Sequence, residues 1–422
     1  MSTRFFYTLA LWPLLPYIFL RLAWRARKQP EYLHHIGERF GFYAMRSDRP
    51  VIWLHTVSVG ETRAAQSLIA GLRKNYPDHR ILLTHTTPTG RAASEQLYGD
   101  DVLRVYLPYD YPFAVQRFLR HFRPQIGILM ETEIWFNLIH TCRASGVPLL
   151  LLNARLSEKS ARGYARFARL TREALGKLAA VAAQTSDDAA RLSGLGARDV
   201  AVTGNLKFDI EPPPALLERG RRWREQFGAD RKVFLVASTR DGEETLLLDA
   251  LQGVQIPGLL TVVVPRHPQR FAEVAALLER RGIAFRRRSE LKQDDIVPPE
   301  VRVVLGDSMG EMFAYYAAAD LAFVGGSLLP YGGQNLIEAC AAGAPVVVGP
   351  HTYNFAEATR LAVVAGAARQ VQEGGELAIE LQRLLGNPDK LHEMRSRCAG
   401  FVAANRGATE KSLRIAASAI ES

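Results

Sequence analysis

This 422-residue chain is poor in cysteine, and its first half is short of acids. Only Cys142, Cys340 and Cys398 occur, widely separated. That excludes a disulfide framework and a Cys-x-x-Cys zinc pattern, and it suits a reducing compartment. No Gly-x-Gly-x-x-Gly fingerprint and no Walker-type Gly-Lys-Ser/Thr loop is present, which disfavours NAD and ATP. No Asp-x-Asp pair stands at a plausible strand end, and no His/Asp/Glu group has metal-ligand spacing. The expected chemistry therefore needs no metal and no cofactor. Internal repeats of fixed period and low-complexity tracts are also missing. At 48% hydrophobic and 23% charged residues the composition is globular.

The shortage of acids is local. Residues 1–210 hold 28 Lys+Arg against 17 Asp+Glu, whereas residues 211–422 hold 25 against 26. The whole net charge of +10 thus sits in the N-terminal half, which should face something anionic. The N-terminus narrows the choice. Residues 5–20 are uncharged and apolar, and Arg21, Arg25, Arg27 and Lys28 follow directly. A straight helix of that run reaches about 24 Å, short of a hydrocarbon core of roughly 30 Å. Pro13 and Pro16 would kink it. No small-residue cleavage site follows, so the expectation is an uncleaved N-terminal membrane-anchor helix with its basic flank cytoplasmic. A second basic stretch, residues 155–177, interleaves Tyr164 and Phe167 with arginines. Arg162, Arg166 and Arg169 follow four-then-three spacing and should form one helical stripe, either a solvated face or a lipid-phosphate surface.

Short apolar runs alternate with helix-length segments. The runs at 51–54, 81–83, 126–130, 148–152 and 200–202 are expected strands of a first domain. Those at 232–237, 260–264, 302–305, 321–324 and 346–348 belong to a second. Near-continuous apolar strands of this kind indicate parallel sheets covered on both faces. The fold class is α/β, with two doubly wound Rossmann-like domains facing a cleft. Pro212, Pro213 and Pro214 make a stiff break between them. The expected division is 1–30 for the anchor and basic flank, 31–208 for the acceptor domain and 209–422 for the donor-nucleotide domain. The last helix is expected either there or packed back on the first domain.

Residues 325–349 carry the sharpest ligand signal. Gly-Gly-Ser-Leu-Leu-Pro-Tyr-Gly-Gly-Gln-Asn-Leu-Ile-Glu leads from one apolar run through a glycine loop into a short helix, and Ala344-Pro345 leads into the next run. Glycines let a phosphate approach the backbone, and a helix N-terminus supplies unpaired N–H groups. Asn335 and Glu338, three apart, share one helix face. A carboxylate there can accept both hydroxyls of a ribose. Arg266 and His267 end the run at 260–264 and suit a phosphate or carboxylate. The Gly306-Asp307-Ser308-Met309-Gly310-Glu311 loop offers backbone N–H groups to a base or phosphate.

In the first domain, Glu61 opens a helix after His55-Thr56-Val57-Ser58-Val59-Gly60. It reads either as a carboxylate favoured by the helix dipole or as a general base for a sugar hydroxyl, and spacing does not choose. Glu131 and Glu133 close the run at 126–130. Lys207 could neutralise a leaving phosphate or an acidic sugar.

Taken together, His55 to Glu61, Glu131-Thr132-Glu133, Asn205 to Asp209, Pro265-Arg266-His267, Gly306 to Glu311 and Gly332 to Glu338 resemble the lipid A Kdo transferases, as does Gly37-Glu38-Arg39-Phe40-Gly41. Kdo is 3-deoxy-D-manno-octulosonic acid. The resemblance covers nearly the whole chain. It implies a GT-B glycosyltransferase that moves Kdo from CMP-Kdo onto a lipid A precursor, lipid IVA, in lipopolysaccharide synthesis. By the same resemblance Glu61 is the general base, and Glu131 and Lys207 stabilise the transition state. Arg266, His267, Met309, Gly310, Glu311, Asn335, Leu336, Ile337 and Glu338 contact the CMP moiety. The implied place is the cytoplasmic face of the inner membrane, reached through residues 5–28, with Arg162, Arg166 and Arg169 as a further contact; nucleic acid is not expected. Two other classes fit parts of the pattern: a nucleotide-sugar epimerase on the same fold, which needs no anchor, and a non-enzymatic membrane-surface protein, which leaves Asn335 and Glu338 unexplained.

Overall fold

The computed structural model describes residues 3–421. It divides into two units, residues 1–209 with 405–422, and residues 210–404. The first unit holds strands β1 (Val51–His55), β2 (Arg80–His85), β3 (Leu103–Tyr106), β4 (Pro124–Met130), β5 (Leu149–Ala154), β6 (Ala180–Ala183) and β7 (Val200–Val202). They pair in the order β3-β2-β1-β4-β5-β6-β7, every pair parallel. The second unit holds β8 (Val233–Thr239), β9 (Leu260–Pro265), β10 (Phe285–Arg287), β11 (Val303–Leu305), β12 (Leu321–Val324), β13 (Val346–Val348) and β14 (Ala368–Gln370), in the order β10-β11-β9-β8-β12-β13-β14. These pairs too are parallel.

In each sheet the chain winds outward from one central strand and then reverses. The reversal lies between β1 and β4 in the first unit and between β8 and β12 in the second. Loops leaving neighbouring strands at such a switch point diverge to opposite faces, which opens a crevice at the carboxyl ends.

Both faces of each sheet are covered, so the central strands are buried along their whole length. In the first unit Trp53 points into one face, 4.9 Å from the Phe118 ring, and its indole N–H donates to Thr84 Oγ1 at 2.8 Å. Gly127 on the adjacent β4 makes room for it, because a Cβ there would stand 2.6 Å from the indole. The opposite face packs Ile52, Leu54 and Leu68 against the helix Ala408–Glu421. Asp209 holds that helix's start by accepting the N–H groups of Gly407 and Thr409.

The N-terminal segment departs from the single anchor helix expected of it. It forms two helices, Thr3–Leu11 and Leu14–Ala26, bent by 46° at Trp12-Pro13. Pro13 lacks the N–H a continuous helix needs, while Pro16 is tolerated in the first turn of the second helix. Among the described residues no single helix is long and apolar enough to cross a membrane; the bent pair together meets that length and composition. The pair lies against the first unit. Tyr7 donates to Asp110 at 2.9 Å, Thr8 to Asn137 at 3.0 Å, and Phe19 stacks on Phe40. The outward side stays apolar, with Phe6, Leu20 and Trp24 all more than half exposed.

The basic stretch also departs from expectation. Arg162, Arg166 and Arg169 do not share one helix, because the chain breaks at Arg166-Phe167 between the helices Glu158–Ala165 and Ala168–Leu175. All three are exposed, and Arg162 and Arg169 pair with Glu158 and Glu173.

Asp110 ties the N-terminal helices to the sheet. Its buried carboxylate accepts the N–H groups of Asn137 and Leu138, which open the helix Phe136–Ala144, as well as the Tyr7 hydroxyl. Asp110→Ala leaves those donors without partners and should cost about 2–3 kcal/mol. Chemical denaturation checks this, and a loss below about 0.5 kcal/mol would contradict the assignment.

Candidate active site

The site of the first unit stands at the β1/β4 switch point. β1 ends at His55, and the chain turns through Thr56 and Val57 into the helix Val59–Ala64. Ser58 caps this helix by accepting the Glu61 N–H, and the Glu61 carboxylate reaches back to accept from the Val57 N–H at 2.7 Å and the Ser58 hydroxyl at 2.9 Å. This is a variant of the capping box in which the carboxylate takes the N–H of the residue before the cap, so the structural reading of Glu61 is satisfied. It does not exhaust the group, because a carboxylate has about four acceptor positions and these bonds use two. Burial raises the Glu61 pKa to about 7, helped by Glu131 and Glu133 and opposed by its bonds to Val57 and Ser58. A carboxylate poised near neutrality can exchange a proton with a substrate hydroxyl.

β4 delivers the other carboxylates. Glu131 has φ of 60°, the left-handed region, which turns its side chain out of the strand direction. Lys207 Nζ lies 3.3 Å from one carboxylate oxygen and Arg155 3.7 Å from the other. Lys207 is aimed there by a relay of side chains: Asn153 Oδ1 accepts the Leu206 N–H, and Asn205 accepts the Lys207 N–H. Glu133 accepts the Trp135 indole N–H at 2.6 Å and lies 3.9 Å from His55 Nε2. Burial, with Glu131 beside it, raises the Glu133 pKa. His55 is fully buried and its pKa is lowered to about 3, chiefly by burial, so the ring is neutral. Glu61, Glu131 and Lys207 therefore converge. Sequence reasoning did not single out Arg155 and Asn153 for this site. Arg155 sits one residue beyond an apolar strand, a detectable position, but the left-handed φ of Asn153 (53°) leaves no trace in the sequence.

The site of the second unit stands at the β8/β12 switch point. The glycine loop after β12 is organised by Glu243, a residue the sequence reading passed over. Glu243 is fully buried, and its carboxylate accepts the N–H groups of Arg240, Gly326 and Leu328. Gly325 has no space for a side chain, since a Cβ would press on the Ala237 and Ser238 carbonyls at 2.8 Å. Asn335 caps the helix Leu336–Ala341 by accepting the Ile337 N–H, and its amide donates to Glu338 at 3.0 Å. The two side chains thus stand on one face. Leu336 and Ile337 are buried, which leaves only their backbone to meet a ligand, and the Ile337 N–H is already taken by Asn335. The fully buried Tyr316 phenol feels both Glu338 and Arg266, so those two charges sit near one another. His267 lies 3.1 Å from an Arg240 nitrogen; partial burial and the cations Arg240, Arg266 and Arg270 lower its pKa. In the 309–311 loop, Met309 is exposed, Gly310 takes φ of 79° and Glu311 pairs with Arg219. A pocket of about 410 Å³ lies at edge strand β14, where Glu380 pairs with Arg369 and Arg383.

Two doubly wound sheets, one presenting carboxylates and a lysine and the other a glycine loop with a capped helix, define a glycosyltransferase of the GT-B class. The fold matches a solved glycosyltransferase from Rickettsia africae with a TM-score of 0.59 at 14% identity, over 89% of this chain and 99% of that one. Residues 34–210 match the sequence family described as 3-Deoxy-D-manno-octulosonic-acid transferase (kdotransferase). The 3-deoxy-D-manno-octulosonic acid transferase of Bordetella pertussis is 44% identical over 96% of this chain and 97% of its own length. The Haemophilus influenzae protein of the same name is 36% identical over 97% of each. The chain belongs to the Kdo transferase family and is an enzyme, a glycosyltransferase.

Glu61 should titrate near pH 7 in carbon-detected NMR of labelled glutamate, well above the usual 4.5. Because the Glu131 charge raises that pKa, Glu131→Gln should lower it. A wild-type value near 4.5, or no downward movement in Glu131→Gln, would contradict the charge crowding.

Proposed function

We propose that this Kdo transferase takes Kdo from CMP-Kdo and places it on a phosphorylated glucosamine lipid, a lipid A precursor such as lipid IVA, by a metal-independent inverting reaction. The observation that carries the proposal is Glu61, a carboxylate with a pKa of about 7 beside the Glu131–Lys207 pair at a sheet's ligand-binding edge. A sugar hydroxyl is a weak nucleophile at neutral pH and needs its proton removed as the new bond forms. Glu61 takes that proton. The acceptor oxygen attacks the anomeric carbon, the bond from that carbon to the phosphate oxygen breaks, and CMP leaves with the electron pair. Attack opposite to departure inverts the anomeric centre. Lys207, held by Glu131, offers positive charge to the developing negative charge or to the carboxylate of the sugar.

On the second unit, Glu338 binds the ribose hydroxyls of the donor and Asn335 lies near its phosphate. Arg266 and His267 meet the phosphate, and the Met309–Gly310–Glu311 loop meets the base. A monophosphate ester needs fewer cations than a diphosphate, which agrees with the even charge of residues 211–422. The acceptor's phosphates suit the basic first half. The exposed apolar side of the two N-terminal helices, followed by Arg21, Arg25, Arg27 and Lys28, supports a place on the cytoplasmic face of the inner membrane, with the helices either lying in one leaflet or inserting as a bent pair.

Incubation with CMP-Kdo and a tetraacyl lipid A precursor should yield a Kdo-bearing lipid, detected by mass, and its absence would reject the reading. Glu338→Ala should weaken CMP binding by about tenfold, the worth of a lost charge-assisted hydrogen bond. Calorimetry checks this, and unchanged affinity would remove the ribose assignment.

A further inference from the structure

The first unit contains a pocket of about 270 Å³ that the reaction scheme above does not use. One wall is the helix Leu14–Ala26, contributing Arg21 and Arg25. The opposite wall is made by the loops after β1, β2 and β3, through Val57, Thr86, Thr87 and Tyr109. Arg39 lines it as well, although it is only 3% exposed. Its guanidinium lies 4.0 Å from the centre of the Tyr106 ring, and its Nη1 donates to the Thr86 carbonyl at 3.1 Å. Its Nε and Nη2 are enclosed and make no hydrogen bond of normal geometry, although the guanidinium acts on the nearby Tyr109 hydroxyl. A buried guanidinium with two unmet donors is costly, and the group that repays it is an anion able to accept a bidentate pair.

The surroundings favour a doubly charged anion. Three guanidiniums, from Arg21, Arg25 and Arg39, face the pocket against one carboxylate, Glu133. Arg25 also rests on the Tyr32 ring at 5.3 Å, which keeps it at the rim. Position matters as much as charge. Val57 lines the pocket, and its N–H is the donor that holds the Glu61 carboxylate at 2.7 Å. An anion on Arg39 would therefore stand next to the loop that presents Glu61. It would also touch the N-terminal helices, which makes them a wall of the site in addition to a membrane contact.

We propose that Arg39, with Arg21 and Arg25, binds a phosphate monoester of the acceptor's headgroup and so orients the acceptor hydroxyl toward Glu61. The proposal rests on the acceptor reading above and adds the site that recognises it. Arg39 is a binding and positioning residue and takes no part in bond making.

The test is binding, read by calorimetry without turnover. The probes are the acyl-free glucosamine disaccharide bearing its phosphates, the same disaccharide after phosphatase treatment, and inorganic phosphate. The full-length protein should bind the phosphorylated disaccharide at least about tenfold more tightly than the dephosphorylated one. Arg39→Gln should erase that difference while CMP affinity stays unchanged, and Arg39→Lys should restore only part of it, because an ammonium cannot form the paired bonds. Inorganic phosphate should compete with the disaccharide and bind more weakly. Equal binding of the two disaccharides by the unmodified protein would overturn the proposal, as would discrimination kept intact in a folded Arg39→Gln. If Arg39→Gln fails to fold, the double variant Arg21→Gln/Arg25→Gln replaces it, since those side chains lie at the pocket's rim. It should lose a several-fold part of the preference, and full retention would equally overturn the assignment. Phosphate-dependent binding without any Kdo transfer would leave this site standing and reject the function proposed above.

Discussion

Three glutamates are gathered at the carboxyl end of the first sheet, and their burial, with their mutual repulsion added to it, governs what the site can do. Glu61, Glu131 and Glu133 reach it from two strands that are neighbours only because the winding order reverses between them. Lys207 and Arg155 pair with Glu131, and the Trp135 indole donates to Glu133. Glu61 accepts from a backbone N–H and a hydroxyl, but burial outweighs both bonds and lifts its pKa to about 7. Burial acts together with these neighbouring charges, and it raises Glu133 as well as Glu61. The proton affinity of each carboxylate is thus set by what its neighbours bind and by how deeply it is buried. The same bonds that make Glu61 a helix cap fix its direction, so the structural and chemical roles reinforce one another.

The second sheet solves a different problem with the same topology. Its glycine loop must lie close to a ligand and still keep its own backbone polar groups satisfied. Glu243, without solvent contact, does this by accepting three N–H groups from two strand ends. The cations Arg240, Arg266 and Arg270 stand around His267 and lower its pKa. The even charge of residues 211–422 agrees with the proposed monophosphate donor, and the excess of residues 1–210 agrees with the proposed anionic acceptor.

The interior strands were legible because burial on both faces demands apolar runs: the runs at 321–324, 346–348 and 200–202 coincide with β12, β13 and β7. The strands that escaped notice are β3, β6, β10 and β14. β3, β10 and β14 are edges, where one side needs no apolar cover, and Arg104, Arg286 and Arg369 break their pattern. β6 reads Ala-Val-Ala-Ala, a composition that favours helix until neighbouring strands claim it. The site shows the same division. Glu61 and Glu338 stand in helix-opening positions recognisable by spacing, and Lys207 is aligned by Asn153, whose backbone geometry no spacing reveals. The N-terminal run was legible as apolar with a basic flank. Its bend follows from Pro13, as the sequence implies, whereas its packing on Asp110 and Tyr111 depends on partners about a hundred residues away. Arg39 is the extreme case: an arginine between Glu38 and Phe40 in sequence becomes a buried cation only when β3 and the N-terminal helix close over it.

The central claim is that Glu61 must be ionised to accept the hydroxyl proton, and the pH dependence of kcat/KM tests it most directly. A base works only in its deprotonated form, so kcat/KM for Kdo transfer should rise with pH through about 7 and level off above it. In Glu61→Gln that acid limb should vanish along with all but a trace of the rate, while CMP affinity is kept. A Glu61→Gln enzyme that retained the wild-type limb and most of the rate would show that another group takes the proton.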